Sequence, residues 1–209
     1  MTKPEVKIKK KSGLRENIEA ILIAIVLALF IRTFVVQAFK IPSGSMKETL
    51  LIGDHILVNK FIYGVKMPFV DKTIIPIKDP KRGDIVVFKF PKDPDKDYIK
   101  RVVGVAGDVI RIRDKKVYVN DQLQKNPHIM HTDPNIYPAQ FQPRDNYGPK
   151  TVPEDSIFVM GDNRDNSYDS RFWGFVNLKA VRGKAFIIYW SWNSEDFGVR
   201  WGRLGNLLH

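Results

Sequence analysis

Residues 84–105 read DIVVFKFPKDPDKDYIKRVVGV, and this stretch decides the fold. Its two ends are rich in β-branched and aromatic residues and are separated by a polar segment, a pattern typical of two successive β-strands. Three more segments have the same character: HILVNKFIYG (55–64), SIFVMGDN (156–163) and KAFIIYWSW (184–192). DVIRIRDKKVYVND (108–121) predicts a hairpin with strands around Val109–Arg113 and Lys116–Val119. The sequence therefore predicts a mainly β, antiparallel, sandwich-like domain.

An apolar run precedes these strands. AILIAIVLALFI (20–31) lies within Ile18–Val36, which as a helix spans roughly 28 Å, close to the thickness of the hydrocarbon layer of a membrane. The sequence therefore predicts a single N-terminal transmembrane helix over residues 18–36. A cleavable secretory signal is the alternative, since a basic start and Val36-Gln37-Ala38 resemble one. The apolar region continues beyond the core of a typical signal, which favours an uncleaved anchor.

The chain is strongly basic, with a formal net charge of +11 over 209 residues. Part of this charge lies directly before the apolar run, at Lys3, Lys7, Lys9, Lys10, Lys11 and Arg15. Because basic flanks of a span stay in the cytoplasm, we expect residues 1–17 to form a cytoplasmic tail and residues 37–209 an extracytoplasmic domain. A solvated tail or a nucleic-acid arm is the alternative. The position before an apolar run favours the lipid bilayer as a partner and argues against nucleic acid.

The composition excludes several kinds of chemistry. The chain has no cysteine, which rules out disulfides, thiol nucleophiles and cysteine-ligated zinc. Its four histidines show no i, i+4 pair and no carboxylate motif suited to a metal, so neither a metal nor another cofactor is expected.

Two regions stand apart from the predicted strands. Residues 121–155 carry six prolines and little periodicity, which predicts a small surface insertion between core strands. The C-terminal stretch is rich in Trp and Arg, and these side chains suit either lipid headgroups or the core, so both interpretations stay open. They are Trp190, Trp192, Trp201, Arg200 and Arg203.

A serine in a constrained turn is the first candidate for catalysis. The segment FKIPSGSMKETL (39–50) follows the apolar run, and its Pro42 and Gly44 restrict the turn and allow close approach of a ligand. Ser43 and Ser45 lie two residues apart on it. A serine nucleophile needs a base, but no histidine is flanked as a partner would be and there is no G-x-S-x-G elbow. Taken alone, the segment is also typical of an ordinary loop.

A lysine can serve as the base if it is neutral. Lys100 lies among apolar neighbours, and strand alternation places Tyr98, Lys100 and Val102 on one face and Arg101 on the other. Burial can lower the pKa of a lysine from about 10.4 by up to about 3–5 units, which brings it near neutral pH. The alternative is an edge-strand lysine that extends into solvent.

A third segment, GDNRDNSYDSRFWGF (161–175), is dense in turn formers and opposed charges. It predicts a salt-bridged loop, which either lies on the surface or rigidifies a site.

Together these segments closely resemble the bacterial type I signal peptidases, or leader peptidases. The resemblance is carried, in order, by FKIPSGSMKETLLIGDHILVNKFIYG (39–64), KRGDIVVFKFPKDPDKDYIKRVVGVAGD (81–108) and GDNRDNSYDSRFWGFV (161–176). It implies a Ser–Lys dyad, with Ser45 as the nucleophile that forms an acyl-enzyme and Lys100 as the general base. It also implies an oxyanion hole made by the backbone N–H of Ser45 and the hydroxyl of Ser43.

The resemblance implies further roles around the dyad. Ser167 matches the position that orients the lysine, and a supporting salt-bridge network is expected from Arg101, Asp162, Asp169 and Arg171. The residue before the cut would meet Ile41, Pro42, Met46, Leu50, Tyr98 and Ile99, and the residue two positions further back would meet Phe39, Ile56 and Val87. Apolar walls with limited room favour alanine at both places.

The implied substrates are secretory precursor proteins, cut after Ala-x-Ala-like sites. The implied location is the bacterial inner (cytoplasmic) membrane, with the catalytic domain on its outer side. Two rival hypotheses remain. A self-cleaving Ser–Lys protease of the repressor type shares the chemistry but has a DNA-binding module and no membrane span. An anchored, non-catalytic binding domain would use its basic surface to attract anionic lipid or polymer.

Overall fold

A computed structural model of the chain describes residues 13–66, 73–75 and 77–209. Residues 1–12 of the predicted basic tail (1–17) therefore lie outside the described residues. The first described element is helix α1 (Gly13–Phe30), which buries none of its side chains. A five-residue π-helical turn (Ile31–Val35) joins it to the first strand. None of the described helices combines the length and the apolarity of a membrane span.

The rest of the described chain is mainly β. The strands are β1 (Val36–Lys40), β2 (Asp54–Asn59), β3 (Val65–Lys66), β4 (Thr73–Ile75), β5 (Ile85–Phe90), β6 (Asp93–Val105), β7 (Val109–Arg113), β8 (Lys116–Val119), β9 (Gln122–Leu123), β10 (Tyr147–Thr151), β11 (Ser156–Met160), β12 (Val176–Asn177), β13 (Val181–Asn193) and β14 (Gly198–Val199). A short helix α2 (Ser170–Trp173) and three 3-10 turns (Arg164–Asn166, Leu178–Ala180, Trp201–Arg203) complete the elements. All the named strand pairs are antiparallel, which confirms the mainly β, antiparallel part of the predicted fold.

The large sheet has the order β1-β2-β13-β5-β6-β11-β12, with β14 added along β13. Strands β5 and β6, the two ends of the 84–105 stretch, lie at its centre. Their register pairs Val86 with Lys100 and Ile85 with Arg101, and β11 pairs its last residue, Met160, with Arg101 from the other side. Lys100 is thus held in the middle of the sheet, where a side chain is most shielded from water.

A smaller sheet packs beside it in the order β10-β7-β8-β9. The predicted hairpin is confirmed as β7 and β8, and its turn residues Asp114 and Lys115 have φ of 46° and 68°, as a type I′ turn requires. The 121–155 segment is not wholly peripheral. It contributes β10, which pairs with β7, and it buries Val152 in the core.

Buried apolar side chains form three clusters around these sheets. One of them contains Ile41, Met46 and Leu50 from the turn between β1 and β2, together with residues of β2, β5 and β13. Burial of side chains of this size stabilises the fold by about 1.5–3 kcal/mol each. The buried side chains of the serine-containing turn therefore anchor this turn to the hydrophobic core.

Candidate active site

The serine-containing turn is rigid because it is closed by backbone hydrogen bonds and by buried side chains. The N–H of Ile41 donates to the Asp54 carbonyl at 2.8 Å, and the N–H of Leu50 donates to the Met46 carbonyl at 2.8 Å. Met46 and Leu50 are 0% exposed. Ser45 is consequently held at the edge of the core, with 9% of its surface exposed.

Lys100 reaches this serine from the centre of the sheet. Its Nζ donates to Ser45 Oγ at 2.8 Å and to the Ile99 carbonyl at 3.0 Å. The same Nζ lies 5.4 Å from the centroid of the Tyr98 ring. Lys100 is only 4% exposed, so it is not an edge-strand lysine in solvent.

Burial lowers the pKa of Lys100 to about 8, and the Arg171 guanidinium acts in the same direction. The carboxylates of Asp169 and Asp162 oppose this effect without cancelling it. A lysine with a pKa near 8 is partly neutral at physiological pH, whereas an ordinary lysine is almost wholly protonated. The pair therefore has the geometry and the protonation equilibrium of a serine with a general base.

Ser43, the other serine of the turn, is exposed beside Ser45. Within the described residues, the backbone N–H of Ser45 has no hydrogen-bond acceptor. A free N–H and a hydroxyl two residues apart on one turn can both donate to one oxygen atom that carries a developing negative charge.

Arg101 and Asp162 form a buried bidentate pair behind the lysine. Arg101 Nε and Nη2 each donate to Asp162 at 2.8 Å, and both side chains are at most 5% exposed. Arg101 Nη1 also donates to the Gly83 and His209 carbonyls, at 2.8 and 2.6 Å. Thr49, from the serine turn, donates to Asp162 at 2.6 Å. The pair therefore ties the serine turn to strand β6.

A second buried pair, Asp169 with Arg171, supports the segment after β11. Arg171 Nε and Nη2 each lie 2.8 Å from Asp169, and Arg171 Nη1 donates to the Arg144 carbonyl at 2.7 Å. Asp169 also accepts from the Gly161 N–H at 3.1 Å. Burial alone would raise the pKa of Asp169, but Arg171, Ser167 and the Gly161 N–H together outweigh it and lower that pKa, so the carboxylate stays charged.

The structure does not bring Ser167 into hydrogen-bond contact with Lys100, contrary to the expectation from the resemblance. Ser167 Oγ instead accepts from the Gly161 N–H at 3.2 Å and interacts with the Asp169 carboxylate. These two partners engage the hydroxyl, and any influence on Lys100 passes through Gly161 and Asp169.

Sequence reasoning missed two residues that join the serine turn to the GDN segment. Asn163 donates twice to the turn, from its backbone N–H to the Ser45 carbonyl and from Nδ2 to the Gly44 carbonyl, both at 3.1 Å. Gly161 lies so close to the Ser45 carbonyl and the Ser167 side chain that no Cβ would fit there. Both belong to a quoted motif, but no pattern in the sequence shows which atoms they meet.

Arg164 is an unusual member of this region. It is 2% exposed, and its Nε and Nη1 have no hydrogen-bond partner among the described residues. Burial, assisted by Arg171, lowers its pKa to about 10, so it remains a cation at neutral pH.

The residues expected to contact substrate separate into two groups. Five of them are at most 2% exposed and belong to the core cluster beneath the serine turn: Ile41, Met46, Leu50, Ile56 and Val87. Phe39 and Ile99 pack against that cluster while keeping part of their surface, and Tyr98 packs on the neighbouring cluster. Pro42 is exposed. The buried group forms an apolar floor beneath the serine turn, whereas the other residues keep accessible surface.

The C-terminal aromatic residues lie on the surface and not in the core. Trp201 is 72% exposed, and Trp190 and Trp192 are 36% and 37% exposed. The basic residues nearby are partly engaged, since Arg203 pairs with the buried Asp54 at 2.6 Å and Arg200 donates to the Ile52 carbonyl at 3.0 Å. The exposed tryptophans leave an apolar patch at this end of the domain.

Comparison with known proteins agrees with the geometry. A family model described as signal peptidase, peptidase S26, matches residues 14–190. The chain is 38% identical over 220 residues to signal peptidase I of Pseudomonas aeruginosa, covering 89% of this chain and 76% of that protein. It is 39% identical over 193 residues to the probable signal peptidase I-2 of Synechocystis, covering 87% and 78%.

A crystal structure of a signal peptidase I from Enterococcus faecalis shares 29% sequence identity, covers 51% of this chain and 97% of that one, and gives a TM-score of 0.41. That score is too low to add to the argument on the fold. The family model and the curated relatives span most of the chain, and the expected resemblance is confirmed. The chain belongs to the S26 family of signal peptidases and is a serine protease of the signal peptidase I type.

Proposed function

We propose that this protein removes signal peptides from secretory precursors, with Ser45 as the nucleophile and Lys100 as the general base. The observation that carries the proposal is the 2.8 Å contact between Lys100 Nζ and Ser45 Oγ, made by a lysine whose pKa is lowered to about 8. A neutral amine at that distance can accept the hydroxyl proton as the oxygen attacks.

The reaction proceeds in two halves. Ser45 Oγ attacks the scissile carbonyl carbon while its proton moves to Lys100 Nζ. The negative charge on the carbonyl oxygen is stabilised by the Ser45 N–H and the Ser43 hydroxyl. When the intermediate collapses, the C–N bond breaks, the leaving amine takes the proton from Lys100, and an ester to Ser45 remains. A water molecule, deprotonated by Lys100, then attacks the ester and releases the signal peptide.

The ion pairs keep this chemistry in place. Arg101 with Asp162 and Arg171 with Asp169 surround the base with charges that are already paired. Buried and doubly hydrogen-bonded, they are costly to separate and so hold the backbone on both sides of the dyad. We assign Ser167 an indirect role, in which it fixes Gly161 beside the Ser45 carbonyl.

The apolar floor accounts for the proposed preference for alanine. Met46, Leu50 and Ile56 have no exposed surface, so they cannot retreat to admit a larger side chain. Packed interiors resist added volume at a cost of about 1–3 kcal/mol per overpacked site. Substrates with Ala at the residue before the cut and two positions further back therefore fit best.

We further propose that the domain is held at the outer face of the bacterial cytoplasmic membrane by its N-terminal segment. Helix α1 exposes apolar side chains around its circumference, among them Ile23 at 68% and Val26 at 67%. Apolar surface of this extent needs a cover, which lipid provides. Ser45 follows Val36 by nine residues, so it lies at most roughly 30 Å from that segment.

The test is cleavage of a precursor with an Ala-x-Ala site by the purified full-length protein in detergent. Ser45→Ala and Lys100→Met should each lower kcat by about four to six orders of magnitude. Ser194→Ala and Lys150→Met, which alter an exposed serine and an exposed lysine, serve as matched controls and should leave kcat unchanged. Full cleavage by the folded Ser45→Ala protein would refute the dyad, whereas a folded wild type that does not cleave the precursor would favour the anchored, non-catalytic binding domain.

The proposed membrane attachment has its own test. The full-length protein should float with liposomes of anionic and neutral phospholipid, and a variant that lacks residues 1–35 should remain in the soluble fraction. Equal flotation of both proteins would assign membrane contact to the domain surface and contradict the role of α1.

A further inference from the structure

One segment of the 121–155 insertion lies against the active site, although the sequence predicts a surface excursion there. We call residues 126–133 the strap. Most of its side chains are exposed or half-buried, so it has little apolar contact to hold it. Its order in the structure must therefore come from polar contacts. Most of these go to residues 162–166, and Asp133 at its end also contacts Lys115 and Arg144.

The backbone of residues 162–164 is held from two sides. On one side, the N–H of Met130 donates to the Asp162 carbonyl at 2.8 Å and the N–H of Arg164 donates to the Met130 carbonyl at 2.9 Å. On the other side, the N–H of Asn163 donates to the Ser45 carbonyl at 3.1 Å. Successive backbone groups point to opposite sides, as in the middle strand of a sheet. Residues 162–164 therefore lie between the strap on one side and Ser45 on the other.

Asp165 fastens the strap to this segment. Its Oδ2 accepts from the N–H groups of Thr132 and Asp133 at 2.8 and 2.9 Å. Its Oδ1 lies 3.1 Å from Lys115 Nζ and 3.2 Å from His131 Nδ1. The Asp165 side chain is 1% exposed. Burial by itself would raise the pKa of Asp165, but the hydrogen bonds from Asp133, Lys115, His131 and Thr132 together outweigh it and lower that pKa. The carboxylate is therefore ionised throughout the physiological range.

We propose that the strap positions the nucleophile and that Asp165 is the positioning residue that holds it there. This inference rests on the proposed peptidase function. Hydrogen bonds to an ionised group are stronger than those between neutral groups, and Asp165 accepts two from the strap backbone. If they are weakened, residues 162–164 lose their outer partner, and the Asn163 contact to the Ser45 carbonyl loosens. A displacement of about 1 Å at a reacting atom can lower the rate about 100-fold.

The test compares Asp165→Asn with Asp121→Asn in the full-length enzyme in detergent. The control also converts an aspartate to asparagine, but Asp121 lies at the start of the insertion, is 75% exposed in an ion pair with Arg111 and does not touch the site. Asp165→Asn should lower kcat by about 10- to 100-fold with KM within about threefold of wild type. Hydrogen exchange at the Asn163 amide should accelerate in Asp165→Asn and remain unchanged in Asp121→Asn.

The outcomes separate positioning from simple stability. Equal kcat and equal exchange at Asn163 in the two variants overturn the proposal, even if Asp165→Asn melts at a lower temperature. If Asp165→Asn does not fold, Thr132→Val takes its place, since it removes only the exposed bond from Asn166 Nδ2 to Thr132 Oγ1. It should lower kcat about threefold and accelerate the same amide, and no change in either overturns the proposal.

Failure of the peptidase proposal gives a different result. If the wild type does not cleave the precursor, the proposed peptidase function is refuted. Hydrogen exchange alone then tests whether the strap holds residues 162–164. In the wild-type protein, the amides of Met130, Thr132 and Asp133 should then be protected as strongly as that of Asn163. Fast exchange at those three amides would show that the strap does not hold residues 162–164, and would overturn the proposal.

Discussion

Replacement of Lys100 by methionine should make the protein more stable at pH 7, although it destroys the proposed activity. The lysine is 4% exposed, and its pKa falls from the ordinary 10.5 to about 8 because of burial. That difference corresponds to about 3 kcal/mol by which the fold disfavours the ammonium. Methionine has a similar length and is uncharged, so it avoids the free-energy cost of burying an ammonium group. The loss of the Ser45 and Ile99 hydrogen bonds offsets about 1 kcal/mol of the gain.

The pH dependence of this effect follows from the direction of the pKa shift. Below pH 8 both the folded and the unfolded lysine are protonated, so the wild type bears the full cost of a buried ammonium. Between pH 8 and 10.5 the folded lysine has lost its proton while the unfolded one keeps it, so the free energy of unfolding rises with pH in that window. Lys100→Met lacks this rise. Its advantage should therefore shrink by about 2 kcal/mol between pH 7 and pH 10.

The assay is thermal unfolding of full-length wild type and Lys100→Met in the same detergent, followed by tryptophan fluorescence at pH 7 and pH 10. For a chain of this size, 1 kcal/mol corresponds to about 2–4 °C, so the variant should melt about 4–8 °C higher at pH 7. Lys150→Met, an exposed lysine, controls for the general loss of one positive charge. A lower melting temperature at pH 7, or a difference that is the same at both pH values, would refute the assignment of a desolvated lysine.

Three further predictions concern activity. The kcat/KM of the wild type should rise with pH to a plateau with its midpoint near pH 8, because only neutral Lys100 accepts the serine proton, and a midpoint below pH 6 in a pH–rate profile would contradict this. Ser43→Ala should lower kcat about 100-fold with little change in KM while Ser43→Thr keeps most of it, and equal rates in steady-state kinetics would remove Ser43 from the oxyanion site. Gly161→Ala should lower kcat at least about tenfold because its Cβ would collide with the Ser45 carbonyl and Ser167, whereas Gly202→Ala, which meets nothing within 4 Å, should not.

The strands were predictable from sequence because their signal is local. Alternation and β-branched residues mark β5, β6, β11 and β13, and a two-residue turn marks the β7–β8 hairpin. The bounds were less accurate, since β6 begins at Asp93 and β13 at Val181, earlier than their apolar segments. The residues added to β6 are mostly polar, and those added to β13 are Val181, Arg182 and Gly183. In both strands cross-strand pairing extends the strand beyond its apolar segment. Pairing across a sheet is long-range information that no window of sequence carries.

The residues of the candidate site also divide into those that a local sequence pattern reveals and those that only long-range contacts define. Ser45 lies in a constrained turn and Lys100 lies among apolar neighbours, and each setting restricts the chemistry that the side chain can perform. The resemblance to the type I signal peptidases then pairs the two residues as a dyad. Asn163 and Thr49 could not be named, since their roles are hydrogen bonds across 113 residues or more. Tyr147–Thr151 was assigned to an insertion because Gly and Pro dominate its centre, yet it completes the smaller sheet beside β7. Polar composition predicts exposure of side chains and says little about backbone pairing.

Charged side chains of the insertion pair with one another and with Asp165, next to the ion pairs around the dyad. On the side of the dyad, Arg101 pairs with Asp162 and Arg171 with Asp169, while Arg164 takes part in no ion pair among the described residues. Across the strap, Asp133, Asp145 and Asp165 pair with Arg144 and Lys115, and Asp165 also lies 3.2 Å from His131 Nδ1. Each group alone carries one unbalanced charge, positive on the first side and negative on the second, and together they are neutral. A buried surplus cation beside Lys100 would lower the pKa of that amine further, whereas an unbalanced carboxylate would raise it. Burial is the largest cause of the lowered pKa of Lys100; Asp169 and Asp162 raise this pKa and Arg171 lowers it, which leaves the base with a pKa of about 8.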